Sequence, residues 1–403
     1  MAKVITDEKL IDELLERGVE EVIVKEHLRK RMLAGEKLRI KLGIDPTGSV
    51  LHLGHAIVLK KLKQFQDLGH QVIFLIGDFT ARIGDPTGRS VARKPMTDEE
   101  IRKNMQSYQN QAGIILDMNK VEVRYNSEWL ASMNLQEVIM MASKITYAQM
   151  AQRADFKNRI KNDLDLSIQE FMYPAMQGYD SVALKADVEI GGTDQKFNLL
   201  MGRQLQKRYD QEPQDTITCP LLEGLDGVEK MSKSVGNYIA LTEEPNSMYG
   251  KIMSLPDSLI LRYFELCTNI AVLEIDKFKK ELDDQTVNPR DIKMKLALEI
   301  TNIYHGKEKA SKAEEYFIKT VQKKEIPDEI QKAKVSVGEK IVDMLVRENL
   351  AASKAEARRK IEQGGVKMND EVIEDWQREI FSSDSEKILR VGKKEWRKIV
   401  LDK

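Results

Sequence analysis

Between Leu38 and Ile44 apolar and polar residues alternate with a period of two, which predicts a short strand. The turn Asp45-Pro46-Thr47-Gly48 follows, and from Leu53 to Leu68 apolar residues return at helical spacing until Gly69 ends the run. Val72-Ile73-Phe74-Leu75-Ile76 is apolar at every position, as a strand buried on both faces must be. Strand, helix and strand in this order make a βαβ unit, the building block of doubly wound parallel sheets, which bind ligands at the carboxyl ends of their strands. The pattern recurs later: Asp187 to Ile190 reads as a strand, Gly191-Gly192-Thr193-Asp194-Gln195 as the turn, and Lys196 to Arg208 as a helix. The fold class is therefore α/β. Asp45, Thr47, His52, His55 and Asp85 are expected to gather along one sheet edge.

Elsewhere the pattern is helical. Thr97 and Glu100 form a capping box that opens a helix. The Met-rich stretch from Leu135 to Met150 is helical but unusually apolar for a surface, so it is either core or the face of a dimer. From 236 to 322, with Pro256 and Pro289 as punctuation, the chain reads as an α-helical domain. Residues 323–337 are charged and interrupted by Pro327, the composition of a linker. A small α+β module is expected over 338–403, where Ser353-Lys354-Ala355-Glu356 opens a helix carrying Arg358, Arg359 and Lys360, and Gly364-Gly365 closes it. The first domain then spans 1–235.

Composition narrows the class without naming it. A chain of 403 residues can hold two or three cores, and 41% hydrophobic with 32% charged residues describes a soluble globular protein. No apolar run reaches the length of a membrane span, and the amino terminus carries Asp7, Glu8, Asp12 and Glu13 in place of a signal peptide's apolar core. Cys219 and Cys267 are too few and too far apart for a disulfide framework or a zinc site, so a reducing cytoplasmic compartment is expected. The net charge of -1 means that any nucleic-acid contact must come from local patches.

The candidate chemistry lies in two distant segments, His52-Leu53-Gly54-His55 and Lys230-Met231-Ser232-Lys233-Ser234. Two imidazoles at a helix start, near the positive end of its dipole, and two lysines on a loop can together hold a triphosphate. This pairing resembles the HIGH and KMSKS signatures of class I aminoacyl-tRNA synthetases, the first with Leu53 in place of isoleucine. Gly43-Ile44-Asp45-Pro46-Thr47, Ile83-Gly84-Asp85-Pro86-Thr87-Gly88, Tyr173 to Asp180 and Gly191 to Gln195 narrow the resemblance to the bacterial tyrosyl-tRNA synthetases. Each motif alone is ordinary turn, cap or surface chemistry; it is their joint order that is specific.

The resemblance implies a Rossmann-like catalytic domain, a helical anticodon-binding domain and a small RNA-binding domain. It also implies a substrate set of ATP, L-tyrosine and tRNA(Tyr), with magnesium (Mg2+) carried on the ATP phosphates and no metal held by the protein. Thr47, His52, His55, Arg89, Lys230, Lys233 and Ser234 match catalytic positions, Arg89 standing where lysine is more familiar. Asp45, Asp85, Tyr173, Gln177, Asp180 and Gln195 match the tyrosine site, with Asp180 accepting from the substrate phenol. Gly54, Gly192, Asp194 and Met231 match the ATP site. A homodimer and no membrane association are implied as well. Lys41 stands where many members have a pocket tyrosine, and Leu42 where cysteine is frequent, which marks a second bacterial subfamily. A tryptophanyl enzyme, an RNA-binding protein that has lost catalysis and a nucleotidyltransferase are the alternatives. No insertion long enough for an editing domain divides the nucleotide fold.

Overall fold

The computed structural model describes residues 4–87, 96–323, 325, 330–392 and 395–402. The chain divides into two units, Met1–Gly306 and Lys307–Lys403. Among the described residues the first is built on six strands: β1 (Glu21–Ile23), β2 (Arg39–Ile44), β3 (Gln71–Ile76), β4 (Val121–Tyr125), β5 (Val188–Gly192) and β6 (Asp215–Cys219). Their order across the sheet is β1-β6-β5-β2-β3-β4, all parallel except the antiparallel edge strand β1. The chain steps outward from β2 to β3 and β4, then crosses back to lay β5 on the other side of β2. The order reverses between β2 and β5, and at such a reversal the crossovers diverge to leave a crevice beyond the strand ends.

The local reasons are those of the sequence pattern. Val72 to Ile76 is wholly buried in β3, and the helix Leu53–Asp67 turns Ala56, Leu59, Leu62 and Phe65 inward. Gly69, at φ +91°, provides the left-handed step that ends this segment. Lys61 breaks the apolar face but is satisfied: its ammonium donates to the carbonyls of Leu14 and Arg17, capping the end of the helix Glu8–Glu16. The helix Lys196–Arg208 forms over the predicted residues. Three strands escape the pattern: β1 has only three residues, β4 is half-buried throughout, and β6 is fully buried yet carries Asp215, Thr216 and Thr218.

From Pro245 to His305 the chain is mainly helical, as expected, but residues 236–306 join the first unit instead of beginning a second one at 236. The cause is apolar packing. The helix Pro245–Met253 buries Met248 and Ile252 against the helix Pro289–His305, which buries Leu296 and Ile300. The helix Ile260–Cys267 lies on Leu53–Asp67, where Lys60 donates to the Cys267 carbonyl.

The second unit contains β7 (Gln331–Val335), β8 (Val366–Met368), β9 (Glu371–Val372), β10 (Ile388–Val391) and β11 (Glu395–Leu401), ordered β7-β11-β10-β8-β9. The helices Ile341–Arg347 and Lys354–Glu362 share one core with these strands through Ile341, Leu345, Ile361, Leu389 and Ile399. Ser353 accepts from the Glu356 amide at 3.2 Å, and Gly364 at φ +68° ends the helix. The expected linker at 323–337 requires correction, because β7 lies within it and pairs in parallel with β11. Ala333 and Val335 point inward while Lys332 and Lys334 face solvent, so the charged half of an edge strand masked its alternation.

The apolar stretch from Leu135 splits into the helices Leu135–Ser143 and Tyr147–Met150. Met141 and Met150 enter the core, whereas Leu135, Ile139, Met140 and Tyr147 are 53–75% exposed. Among the described residues no helix is long and apolar enough to cross a membrane.

Candidate active site

A cavity of ≈ 1070 Å³ occupies the crevice at the carboxyl ends of β2 and β5. Its walls include every predicted site residue except Arg89, which lies outside the described residues. At one end, Tyr173, Gln177 and Asp180 project from a single face of the helix Ile168–Leu184, as positions four and seven residues apart must. Asp45, just beyond β2, accepts from Tyr173 Oη at 3.0 Å and from Thr80 Oγ1 at 2.8 Å. Gly77 is required beside it, since a Cβ there would sit 2.1 Å from Asp45 Oδ1. Asp85 accepts from the Thr87 amide and hydroxyl at 3.0 and 2.6 Å and from Gln195 Nε2 at 2.7 Å. Burial and the neighbouring Asp45 and Asp85 carboxylates push the Tyr173 phenol well above its usual range, so it stays a neutral donor.

Asp180 closes this end and is 2% exposed. Trp129 Nε1–H donates to its Oδ1 at 2.8 Å and Asn126 Nδ2 to its Oδ2 at 3.4 Å. Burial pushes Asp180 up to about 7, opposed by the Lys41 charge and by these two donors. Neither Trp129 nor Asn126 was singled out by the motifs; both follow β4, which the pattern also missed. Lys41 is fully buried and faces its ladder partner Glu189 across β2 and β5, with Nζ 2.8 Å from the carboxylate. The same ammonium donates to Ser181 Oγ at 2.9 Å and to the Gln177 carbonyl at 3.3 Å. Its three donors are therefore committed to the protein, and Lys41 acts as a packed wall behind Asp180.

At the other end His52 and His55 stand at the start of the helix Leu53–Asp67, ring centroids 3.8 Å apart, with the His52 amide donating to His55 Nδ1 at 3.2 Å. Burial, helped by Lys233, drives His52 down to about 3 and His55 well below its usual range, so both are neutral at pH 7. His52 Nδ1 is buried without a protein partner. The lysine segment reaches this helix because the chain after it runs back alongside: the Leu53 amide donates to the Ile239 carbonyl at 3.0 Å and the Leu241 amide to Leu51 at 2.9 Å. Asn237 braces the loop, accepting from the Ser232 amide at 2.8 Å and donating to Asp226 and to the carbonyls of Glu229 and Lys230.

Lys230 Nζ pairs with Asp194 at 2.8 Å, just past β5. Lys233 Nζ donates to Tyr108 Oη at 2.7 Å and lies against Gly48, where a Cβ would approach it to 2.8 Å. Met231 is buried, its amide donating to Leu222 at 2.7 Å. Ser234 Oγ is 3.3 Å from Ser232 Oγ. Thr47, Gly54 and Gly192 complete the wall. The site thus has a buried, hydroxyl-sized acceptor at one end, a ring of acceptors in the middle, and two lysines over neutral histidines at the other. Such a layout suits a phenolic amino acid laid end to end with a nucleotide triphosphate.

Comparison with known proteins agrees. Residues 33–322 match the family described as tRNA synthetases class I (W and Y), and residues 321–399 match the Tyrosine--tRNA ligase SYY-like C-terminal domain. The Tyrosine--tRNA ligase of Thermotoga maritima is 51% identical over 386 residues, covering 96% of each chain. Tyrosine--tRNA ligase 2 of Clostridium acetobutylicum is 49% identical over 401 residues, covering 98% of this chain and all of that one. Among solved structures, the tyrosyl-tRNA synthetase of Archaeoglobus fulgidus in complex with L-tyrosine superposes with a TM-score of 0.63 at 25% identity, covering 76% of this chain and 100% of the other. The relatives are tyrosine enzymes over nearly their whole length, which removes the tryptophanyl and non-catalytic alternatives, and the chain belongs to the tyrosine–tRNA ligases of the class I aminoacyl-tRNA synthetases.

Proposed function

We propose that, in the family's activation of tyrosine with ATP and its transfer to tRNA(Tyr), the tyrosine carboxylate attacks the α-phosphorus of ATP in line within this cavity while pyrophosphate leaves toward the lysine loop. Protein chemistry in such a step is positioning and charge stabilisation, because no covalent bond to the enzyme is needed. Asp85, Tyr173 and Gln177 hold the α-ammonium, Asp45 orients Tyr173, Gln195 attends the carboxylate, and Asp180 accepts from the phenol. Gly54, Gly192, Asp194 and Met231 receive the nucleoside. Thr47, His52 and His55 contact the phosphates and ribose side, with Lys230, Lys233, Ser234 and Arg89 closing on the leaving group. The nucleotide enters as its magnesium complex, the ion being part of the substrate.

The observation that carries this reading is the opening of the Asp180 end and the two-lysine end into one cavity at the strand-order reversal. Tyrosine-dependent exchange of pyrophosphate into ATP tests it directly. Exchange should respond to tyrosine and not to tryptophan, and equal response to both would overturn the assignment of Asp180. Lys41 with Glu189 is read as the mark of a subfamily in which an ion pair, in place of a second phenol, backs the pocket.

The carboxyl-terminal module is assigned to RNA, with Arg358, Arg359 and Lys360 on its exposed helix; residues 236–322 are assigned to the anticodon stem, and the protein to the cytoplasm. A chain ended after Gln322 should keep tyrosine-dependent exchange, since all tyrosine and ATP residues lie before it. It should lose tRNA charging by ~10-fold or more at physiological salt through lost phosphate contacts. Loss of both reactions together in a folded truncate would make the module structural. The exposed Leu135, Ile139, Met140 and Tyr147 support a homodimer. Sedimentation should give twice the chain mass, and Ile139→Lys should shift it toward the monomer; a wild type that sediments as a monomer rejects this assembly.

A further inference from the structure

One buried arginine that no motif contains is hydrogen-bonded to the residues around the middle of the site. Arg153, at the start of the helix Ala154–Lys161, is 5% exposed. Its Nε donates to both oxygens of Asp155 at 2.9 and 3.1 Å, and its guanidinium carbon lies 4.9 Å from the Phe156 ring centroid. These contacts fix the plane of the fork, and the remaining donors point toward the site.

From that fork two hydrogen-bonded arms run to the two oxygens of one carboxylate. In the short arm, Arg153 Nη2 donates to Thr87 Oγ1, which donates to Asp85 Oδ1 at 2.6 Å; Nη2 also reaches Oδ1 itself at 3.4 Å. In the long arm, Arg153 Nη1 donates to Asn198 Oδ1 at 3.3 Å, Asn198 Nδ2 to Gln195 Oε1 at 2.9 Å, and Gln195 Nε2 to Asp85 Oδ2 at 2.7 Å. Asn198 is 1% exposed.

The polarity of the long arm is dictated by its ends. A guanidinium can only donate and a carboxylate can only accept. Asn198 must therefore turn its carbonyl to Arg153 and its amino group to Gln195, and Gln195 must turn its carbonyl to Asn198 and its amino group to Asp85 at the cavity wall. Reversing either amide would set two acceptors or two donors face to face at once in a buried chain.

We infer that Arg153 and Asn198 are positioning residues for adenylation: from the side opposite Asp85 they hold the direction of the Gln195 amide, so that its remaining N–H, and not its carbonyl, faces the carboxylate of the bound tyrosine. This rests on the reading of Gln195 as the partner of that carboxylate. The attacking group is an anion. A Gln195 carbonyl turned toward it would repel the nucleophile at the point where its approach must be guided.

Asn198→Asp tests the direction. The new carboxylate still accepts from Arg153 but offers no donor to Gln195 Oε1, so the Gln195 amide is left between two carboxylates that can only accept; when it turns to donate to the new one it gives up Asp85 and presents its carbonyl to the site. Binding of L-tyrosine should weaken by roughly tenfold to hundredfold, the range for a hydrogen bond to a charged group. Tyramine, which keeps the phenol and the ammonium but lacks the carboxylate, should lose several-fold less affinity than L-tyrosine, since the turned amide reaches it only through Asp85, the partner of the ammonium. Asn198→Ala removes the donor without imposing the reversal, so its loss should be smaller than that of Asn198→Asp and again larger for L-tyrosine than for tyramine; it also carries the test if Asn198→Asp does not fold. Equal weakening of both ligands, or an Asn198→Ala effect as large as that of Asn198→Asp, overturns the proposal. Gln195→Ala separates this from the underlying reading. If it binds and exchanges tyrosine normally, the assignment of Gln195 itself fails. If it is impaired while Asn198→Asp is not, only the directing role is refuted.

Discussion

Alanine at Lys230 or Lys233 should cut the rate of tyrosine-dependent pyrophosphate exchange by roughly a hundredfold to a thousandfold, the range for losing one donor aimed at developing charge. The dissociation constant for tyrosine should stay within about twofold, because the lysines contact Asp194 and Tyr108 and neither belongs to the set assigned to tyrosine. The histidines cannot substitute. With His52 driven to about 3 and His55 well below its usual range, both are uncharged at pH 7, so among the described residues the positive charge of this end belongs to the lysines. The contact of Lys230 with Asp194 is half-exposed and so weakly held. It can be given up when pyrophosphate charge grows. Lys233 is held from the side by the buried Tyr108 hydroxyl, which leaves it beside the Gly48 backbone. Single-turnover adenylation decides the matter: a change confined to the ATP Michaelis constant, with the rate at saturation intact, would show that the charges act on bound ATP and not on the transition state.

Asp180→Ala should raise the Michaelis constant for tyrosine by roughly tenfold to a hundredfold, the worth of a hydrogen bond to a charged group in a buried site. It should also collapse the rejection of phenylalanine. For tyrosyl enzymes as a class that rejection is roughly ten-thousandfold to a hundred-thousandfold, a figure taken from the class and not from this chain. The reason is that phenylalanine leaves the buried Asp180 acceptor unsatisfied, and alanine removes the group that is penalised. A pH dependence follows from the same burial. Asp180 is pushed up to about 7, so its ionised, accepting fraction falls as pH drops through neutrality. The tyrosine Michaelis constant should therefore rise between pH 8 and pH 6 in the wild type, and Asp180→Asn should flatten that dependence. A flat wild-type profile, or unchanged phenylalanine rejection in Asp180→Ala, would remove Asp180 from the phenol site.

Much of the frame could be read from residues in order. Period-two and period-3.6 patterns located β2, β3, β5 and the helices between them, because each of those elements buries one continuous face and its sequence must say so. The site residues that lie on motifs came with them: Asp45, Asp85, His52 and His55 follow strand ends, and Tyr173, Gln177 and Asp180 share one helix face. The signal failed where burial and chemistry were at odds with composition. β6 is buried with two threonines and an aspartate, and β7 shows lysines on its open side.

Tertiary structure decided the contacts that join segments distant in sequence. Trp129 and Asn126 meet Asp180 across more than fifty positions, Tyr108 meets Lys233 across 125, and Lys41 meets Ser181 across 140. No local pattern marks such partners, since a tryptophan in a short helix or an asparagine just before it looks the same whether or not a carboxylate faces it. The same holds for the helices of 236–306, whose amphipathic pattern predicts burial but not against which unit. Sequence alone therefore determined the kinds of element and the reactive groups at their ends, because periodicity and turn chemistry act over a few residues. Which buried donors and counter-charges surround those groups was left to the folded packing, where hydrogen bonds and ion pairs are chosen by proximity in space.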